Sequence, residues 1–228
     1  NVLYASTTDV IQRARAQAGN MAHGLKTPLA VMTDEAHRLE ALGNAQSAQT
    51  ILTQCHRMQS HVDYQIARAR AVAMRAAPGT VASVSKVSGD IVSALRRLHA
   101  ERGLKIHNEI SDDLTVATDA QDLSEMLANL VDNACKHAEA TVHLSNAPAA
   151  RTGMVLIRVD DDGPGLPPEA FEVVFRIGER WDSQKPGSGL GLTIVRDLAR
   201  LYGGNVELGR SSSGGLSVAL ELPLAKHT

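Results

Sequence analysis

Aromatic side chains are nearly missing from this sequence: Phe, Trp and Tyr together make up 3% of its 228 residues. Its core must therefore be aliphatic, because Ala, Leu and Val dominate the apolar 43%. Only two cysteines occur, Cys55 and Cys135, far apart and without CxxC spacing. That argues against a metal cluster or a disulfide scaffold and fits a reducing compartment. Neither charge sign prevails, since the formal net charge is −2, so bulk charge points to no nucleic-acid partner. No stretch approaches the roughly 20 apolar residues that a membrane span needs, and no signal peptide is visible. The first residue is Asn1 rather than Met, and a preceding part of a longer protein is expected. What remains is a chain long enough for one large domain or two small ones.

Two domains follow from the periodicity. Met21, Leu25, Leu29, Met32, Ala36, Leu39 and Leu42 recur at spacings of three and four, the stripe of an amphipathic helix. Gly43 and Asn44 interrupt it as a helix stop and turn. The stripe resumes with Ile51, Cys55, Met58, Val62, Ile66, Ala69 and Ala73. Residues 1–76 thus read as an antiparallel helical hairpin. Two helices bury little, and two copies forming a four-helix bundle would cover both stripes, so a homodimer is expected. Residues 77–86, with Pro78 and Gly79, read as a linker. Residues 87–228 mix helix and strand patterns. Helices are expected at about 88–102, 119–137 and 191–202. Strands are expected at 104–110, 114–118, 140–146, 154–161, 204–209 and 215–223. The fold class is therefore a helical hairpin followed by an α/β sandwich, a mixed sheet with three helices on one face.

Three stretches of the second domain carry chemistry. In "EMLANLVDNACKHA" (125–138), Asn129 and Asn133 share a helix face, and Asp132 and Lys136 form an i,i+4 pair beside them. Two carboxamide oxygens in register suit a hard cation such as Mg²⁺, although two solvated asparagines would look the same. In "VDDDGPGLP" (159–167), Gly163 and Gly165 permit a tight turn, and Asp161 sits at a strand end. A carboxylate fixed there could accept a hydrogen bond from an exocyclic amine such as that of adenine; an ordinary acidic turn is the alternative. In "KPGSGLGLTIV" (185–195), Gly187, Gly189 and Gly191 leave backbone N–H groups unhindered before a helix. Free amides at a helix N-terminus suit an anion, but the spacing is neither a P-loop nor a convincing dinucleotide fingerprint, and a flexible hairpin is the alternative.

The order of these stretches resembles the N, G1 and G2 boxes of sensor histidine kinases, and "FEVVF" (171–175) resembles the family's F box. "HGLKTPL" (23–29) is similar to the H box, His-(Glu/Asp)-x-x-(Thr/Asn)-Pro, so the resemblance covers essentially the whole chain. It implies a dimerisation and phosphoacceptor hairpin followed by a gyrase-like, Bergerat-type ATP-binding domain. The implied cofactors are ATP and Mg²⁺. Asp161 would recognise the adenine amine, with Gly163 and Gly165 shaping the loop. Asn133 would ligate Mg²⁺, with Asn129 at the metal or phosphates and Lys136 at a phosphate. Gly187, Gly189, Leu190 and Gly191 would form the hinge and end of a lid, residues 176–186. Arg180 and Lys185 are its candidate phosphate contacts, or else a solvated basic pair. Trp181 would anchor that lid or pack at an interface.

The same resemblance makes His23 the phosphoacceptor, its neutral imidazole attacking the γ-phosphate. Pro28 would bend the helix one turn beyond it. Thr27, four residues on, would position a water for a phosphatase activity. The implied partner is a response-regulator receiver domain, docking near Val31, Met32, Glu35, Cys55 and Met58, although core packing explains the apolar ones equally well. The implied location is cytoplasmic, with the full-length protein anchored in a bacterial inner membrane through a part that precedes this one. One position departs from the pattern: Gly24 stands where the family places an acidic residue. Glycine cannot accept the imidazole proton, and general-base help is typically worth about 10²–10⁴-fold, so a slow kinase is expected. A phosphatase-dominant homologue or a dimeric ATP-binding scaffold that signals without phosphotransfer are the alternatives.

Overall fold

The structure, a computed structural model, describes residues 24, 27–55, 58–59, 62, 80–175 and 191–225. Helix α1 covers residues 27–41 and α2 residues 45–55. Between them Gly43 takes φ +88°. Its N–H donates to the Glu40 carbonyl, while that of Asn44 reaches back to Leu39 at 2.9 Å. This Schellman arrangement satisfies the last carbonyls of α1 and ends the helix, as Gly43-Asn44 implied. Leu29, Ala36, Ala48 and Cys55 are buried. Cys55 therefore belongs to the packed seam, not to an exposed docking surface. Val31, Met32 and Met58 remain exposed, at 63%, 43% and 42%.

The second domain starts earlier than its composition suggests. Residues 82–86, expected in a linker, are part of the fold. Strand β1 (Ala82–Ser83) pairs antiparallel with β3 (Thr115–Val116). Helix α3 begins at Val84 and ends at Leu98, with the Ser83 hydroxyl accepting from the Lys86 N–H as its N-cap. Ala82 and Val84 are fully packed, so apolar burial fixes the entry of the chain. A 3-10 turn (Ala100–Arg102) follows α3, and Gly103 ends it at φ +63°.

The main sheet has five strands in the order β2-β4-β5-β7-β6: β2 (Lys105–Glu109), β4 (Thr141–Pro148), β5 (Met154–Asp161), β6 (Asn205–Arg210) and β7 (Leu216–Pro223). Only β2 and β4 run parallel. A parallel pair needs a crossover helix, which α4 (Ala120–His137) supplies. Asp119 caps α4 through its carboxylate, which accepts from the Gln121 N–H at 2.8 Å. Helix α6 (Gly191–Leu201) follows the short α5 (Ala170–Val173).

Strand alternation directs the core. On β5, Val155, Ile157, Val159 and Asp161 are buried, and on β7, Leu216, Val218, Leu220 and Leu222. The helices cover that one face: α3 packs on β2, α4 on β4 and β5, α6 on β6 and β7. Leu123, Met126, Leu127, Leu130, Val131 and Ala134 of α4, the apolar stripe read from the sequence, are all buried. The core is aliphatic as expected, with Phe175 its one buried aromatic ring among the described residues.

Candidate functional site

The site is assembled where the C-terminal half of α4, the end of β5 and the start of α6 meet. On α4, Asn129 and Asn133 lie half-buried on one face. The Asn129 amide donates to the Glu125 carbonyl at 2.8 Å, which turns its Oδ1 away from its own helix backbone. Gly191 lies against that oxygen, since a Cβ there would sit 3.0 Å from it. The N-terminus of α6 and the asparagine face of α4 are thus in contact. Lys136 pairs with Asp132, Nζ to Oδ2 at 2.5 Å.

Asp161 ends β5 with its side chain only 3% exposed. Its Oδ1 accepts two backbone N–H groups, from Gly163 at 2.9 Å and from Leu216 at 3.2 Å. Among the described residues no donor reaches Oδ2. Burial pushes the Asp161 carboxyl above its ordinary range, while the bonds from Gly163 and Leu216 and the nearby His137 pull it back. The result is a nearly buried carboxylate whose Oδ2 accepts from no described donor.

Glycine is required around it. A Cβ at Gly163 would overlap the His137 carbonyl oxygen at the end of α4, and one at Gly215 would overlap the Asp161 carboxylate. Gly165 takes φ +70°. Asp162 secures the same junction from the other side: its carboxylate accepts from the N–H groups of Glu139 at 2.9 Å and Ala140 at 3.1 Å. Burial opposes its charge, but backbone donors from residues 139–141 outweigh that and hold its carboxyl below the usual value. Sequence reasoning passed over Asp162 as part of an acidic turn, and also missed Gly215 and Leu216. The Asx pattern of an aspartate next to a Gly-rich turn was the available signal.

Phe175, in the F-box stretch, is held by α6. Its carbonyl accepts from the Thr193 hydroxyl at 3.1 Å and from the Arg196 guanidinium at 3.0 Å, which also stacks 4.8 Å from the ring centroid. His23, Arg180, Trp181, Lys185, Gly187, Gly189 and Leu190 lie outside the described residues. Thr27 is exposed at the start of α1, and Gly24 is helical and exposed. Asn129, Asn133, Lys136, Asp161, Gly163, Gly165 and Gly191 are brought into one region by α4, β5 and α6. Among the described residues no group of three or more His, Cys, Asp or Glu could hold a metal ion, so a cation would rest on carboxamide oxygens and ligand phosphates.

The family described as histidine kinase-, DNA gyrase B-, and HSP90-like ATPase matches residues 118–226. That match takes in α4 through β7 of the C-terminal domain. This ATPase domain and the hairpin together are similar to the sensor protein kinase CarS of Pseudomonas aeruginosa, 39% identical over 99% of this chain and 50% of CarS. The sensor protein PhoQ of Escherichia coli is 33% identical over 94% of this chain and 44% of PhoQ. The chain thus spans about half the length of these curated relatives. Among solved structures, full-length ShkA in complex with AMPPNP covers 93% of this chain and 46% of its own, at 26% identity and TM-score 0.65. The mixed sheet and its helices are the histidine kinase catalytic fold, and the ATPase domain is an ATP-binding one. No helix among the described residues is long and apolar enough to cross a membrane.

Proposed function

We propose that this chain is the cytoplasmic kinase portion of a sensor histidine kinase. ATP held by the C-terminal domain phosphorylates His23, and the phosphoryl group then passes to an aspartate of a response-regulator receiver domain. The observation that carries this reading is Asp161, a buried carboxylate with both described donors on one oxygen, opening beside the Asn129–Asn133 face.

The roles follow from chemistry. Asp161 Oδ2 accepts the adenine 6-amine. Asn133 engages no described residue by hydrogen bond, and Asn129 keeps its Oδ1, so the carboxamide oxygens fit a hard cation. Bound there with the phosphates, Mg²⁺ would neutralise triphosphate charge. Lys136 supplies a further positive group, Arg180 and Lys185 of the 176–186 lid close over the phosphates, and Gly187, Gly189, Leu190 and Gly191 form its hinge. The His23 imidazole nitrogen forms the new N–P bond while the bond from the γ-phosphorus to the β,γ-bridging oxygen breaks and ADP leaves. Thr27 orients a water to attack the phosphorus of the regulator's aspartyl phosphate, breaking the P–O bond to the aspartate and releasing inorganic phosphate, the phosphatase activity. The hairpin of residues 1–76 dimerises as a four-helix bundle, which would cover Met32 and Met58, and the full-length protein is membrane-anchored.

Gly24 favours a second reading, a slow or phosphatase-dominant homologue, because it offers His23 no acidic neighbour. A side chain would fit at Gly24: no atom lies within 4 Å of the place a Cβ would take. Radiolabelled ATP distinguishes the readings. The wild type is expected to label slowly, Gly24→Glu faster, and His23→Ala not at all. No label on the wild type, with label restored by Gly24→Glu, would defeat the active-kinase reading.

A further inference from the structure

We infer that His99, which lies outside every motif, is a positioning residue for nucleotide binding: by holding one oxygen of Asp132 it frees Lys136 to leave the other oxygen for the phosphates. The inference rests on the nucleotide reading above and adds a residue from a different helix. His99 caps the C-terminus of α3. Its Nε2 lies 3.0 Å from Asp132 Oδ1, and Lys136 Nζ lies 2.5 Å from Asp132 Oδ2. One carboxylate thus serves two partners, one from each helix. Exposure rises outward along this chain, from 13% for His99 to 27% for Asp132 and 49% for Lys136. The inner end is partly buried, and the outer end is a lysine on a long, flexible stem at the asparagine face. The other cation at this junction, Arg102, is engaged elsewhere, donating to the Cys135 and Ala138 carbonyls.

An i,i+4 Lys–Asp pair on a helix surface is a weak interaction, and by itself would say nothing about ligand. His99 changes its consequence. When Lys136 turns to a phosphate it gives up its contact with Asp132, and a half-buried carboxylate left with no partner is costly. The His99 bond keeps Asp132 satisfied and so lowers that cost. Without His99, Lys136 is the sole partner of Asp132 among the described residues and stays docked.

Displacement titrations of a fluorescent ATP analogue with Mg²⁺ test this on the whole chain. His99→Leu is expected to weaken binding of a non-hydrolysable ATP about tenfold, on the scale of one charge-assisted hydrogen bond. Adenosine binding stays unchanged, because it has no phosphate. His99→Gln, which retains a donor, restores the wild-type value. In a Lys136→Met background His99→Leu has no further effect. Equal weakening of ATP and adenosine, an undiminished effect in the Lys136→Met background, or no effect at all would overturn the inference. Failure of the wild type to bind either ligand would instead overturn the nucleotide reading on which it rests.

Discussion

Replacing Asp161 by asparagine separates recognition from stability at one atom. The substitution is isosteric, and Oδ1 keeps its acceptor role toward the Gly163 and Leu216 N–H groups at 2.9 and 3.2 Å. What changes is the other position, where the acceptor proposed to meet the adenine amine becomes an NH₂ donor. The lost charge-assisted bond is worth about 1.5–3 kcal/mol, or roughly a 10- to 150-fold weaker Kd. Stability should move the opposite way. Burial raises the Asp161 carboxyl above its ordinary range despite its backbone bonds. A carboxyl so raised binds its proton more tightly in the folded than in the unfolded state. Its favourable contribution is present at low pH and is lost as pH rises through the raised value. At pH 7 the nucleotide-free Asp161→Asn protein should therefore melt no lower than the wild type, and above it if the charge is the main cost. That gain should shrink as the pH is lowered. Nucleotide displacement together with thermal melts at several pH values measures both. An unchanged Kd would refute adenine recognition by this residue. A melting temperature that falls along with affinity would make Asp161 a structural pin rather than a recognition group.

Four further outcomes follow from the same geometry. Asp162→Ala should cost about 1–2 kcal/mol in urea unfolding at pH 7; because its carboxyl is depressed in the fold, this difference should vanish as pH falls through that lowered value. Gly163→Ala should abolish nucleotide binding and lower the melting temperature, because its Cβ would overlap the His137 carbonyl, whereas Gly209→Ala, with nothing within 4 Å, should be close to neutral in both assays. Tyr202→Phe should destabilise by about 1–3 kcal/mol in denaturant titration, since the phenol donates at 2.5 Å to the fully buried Asp122 carboxylate, and burial and that carboxylate both disfavour its ionisation. Met32→Glu with Met58→Glu should convert a dimer to a monomer in light scattering while leaving the melting of the ATPase domain unchanged; a persistent dimer would move the interface elsewhere.

Local features were legible in the sequence, and non-local ones were not. The face of α4 followed from a 3.6-residue period, and its N-cap Asp119 from residue type. Asp161 and its glycines were legible because a tight acidic turn after an apolar strand is written in consecutive residues. Strand order was not: β7 lies between β5 and β6, and β2 runs parallel to β4, pairings set by tertiary packing across distant segments. Residues 82–83 read as linker for a related reason. A two-residue strand is too short to show alternation, and its partner at 115–116 is more than thirty residues away. The hold on Phe175 by Thr193 and Arg196 likewise joins side chains and a carbonyl that no local pattern links.

These non-local contacts explain how a weak set of motifs becomes a site. Asparagines on a helix, an acidic turn and a glycine-rich helix start are each common in proteins with no ligand. Here α4 is fixed at several places by residues from other elements. Asp122 in its first turn is held by Tyr202 of the α6 end, and Asp132 is met by His99 of α3. Its C-terminal carbonyls take the Arg102 guanidinium. Beyond it, residues 139 and 140 donate to Asp162, and Gly163 lies tight against the His137 carbonyl. Position, not residue type, is what these contacts supply: they hold Asn129, Asn133 and Lys136 in a fixed relation to Asp161. A substitution at any of these fasteners should therefore act on nucleotide affinity through placement, with a size set by how far α4 can shift before the core beneath it, from Leu123 to Ala134, resists.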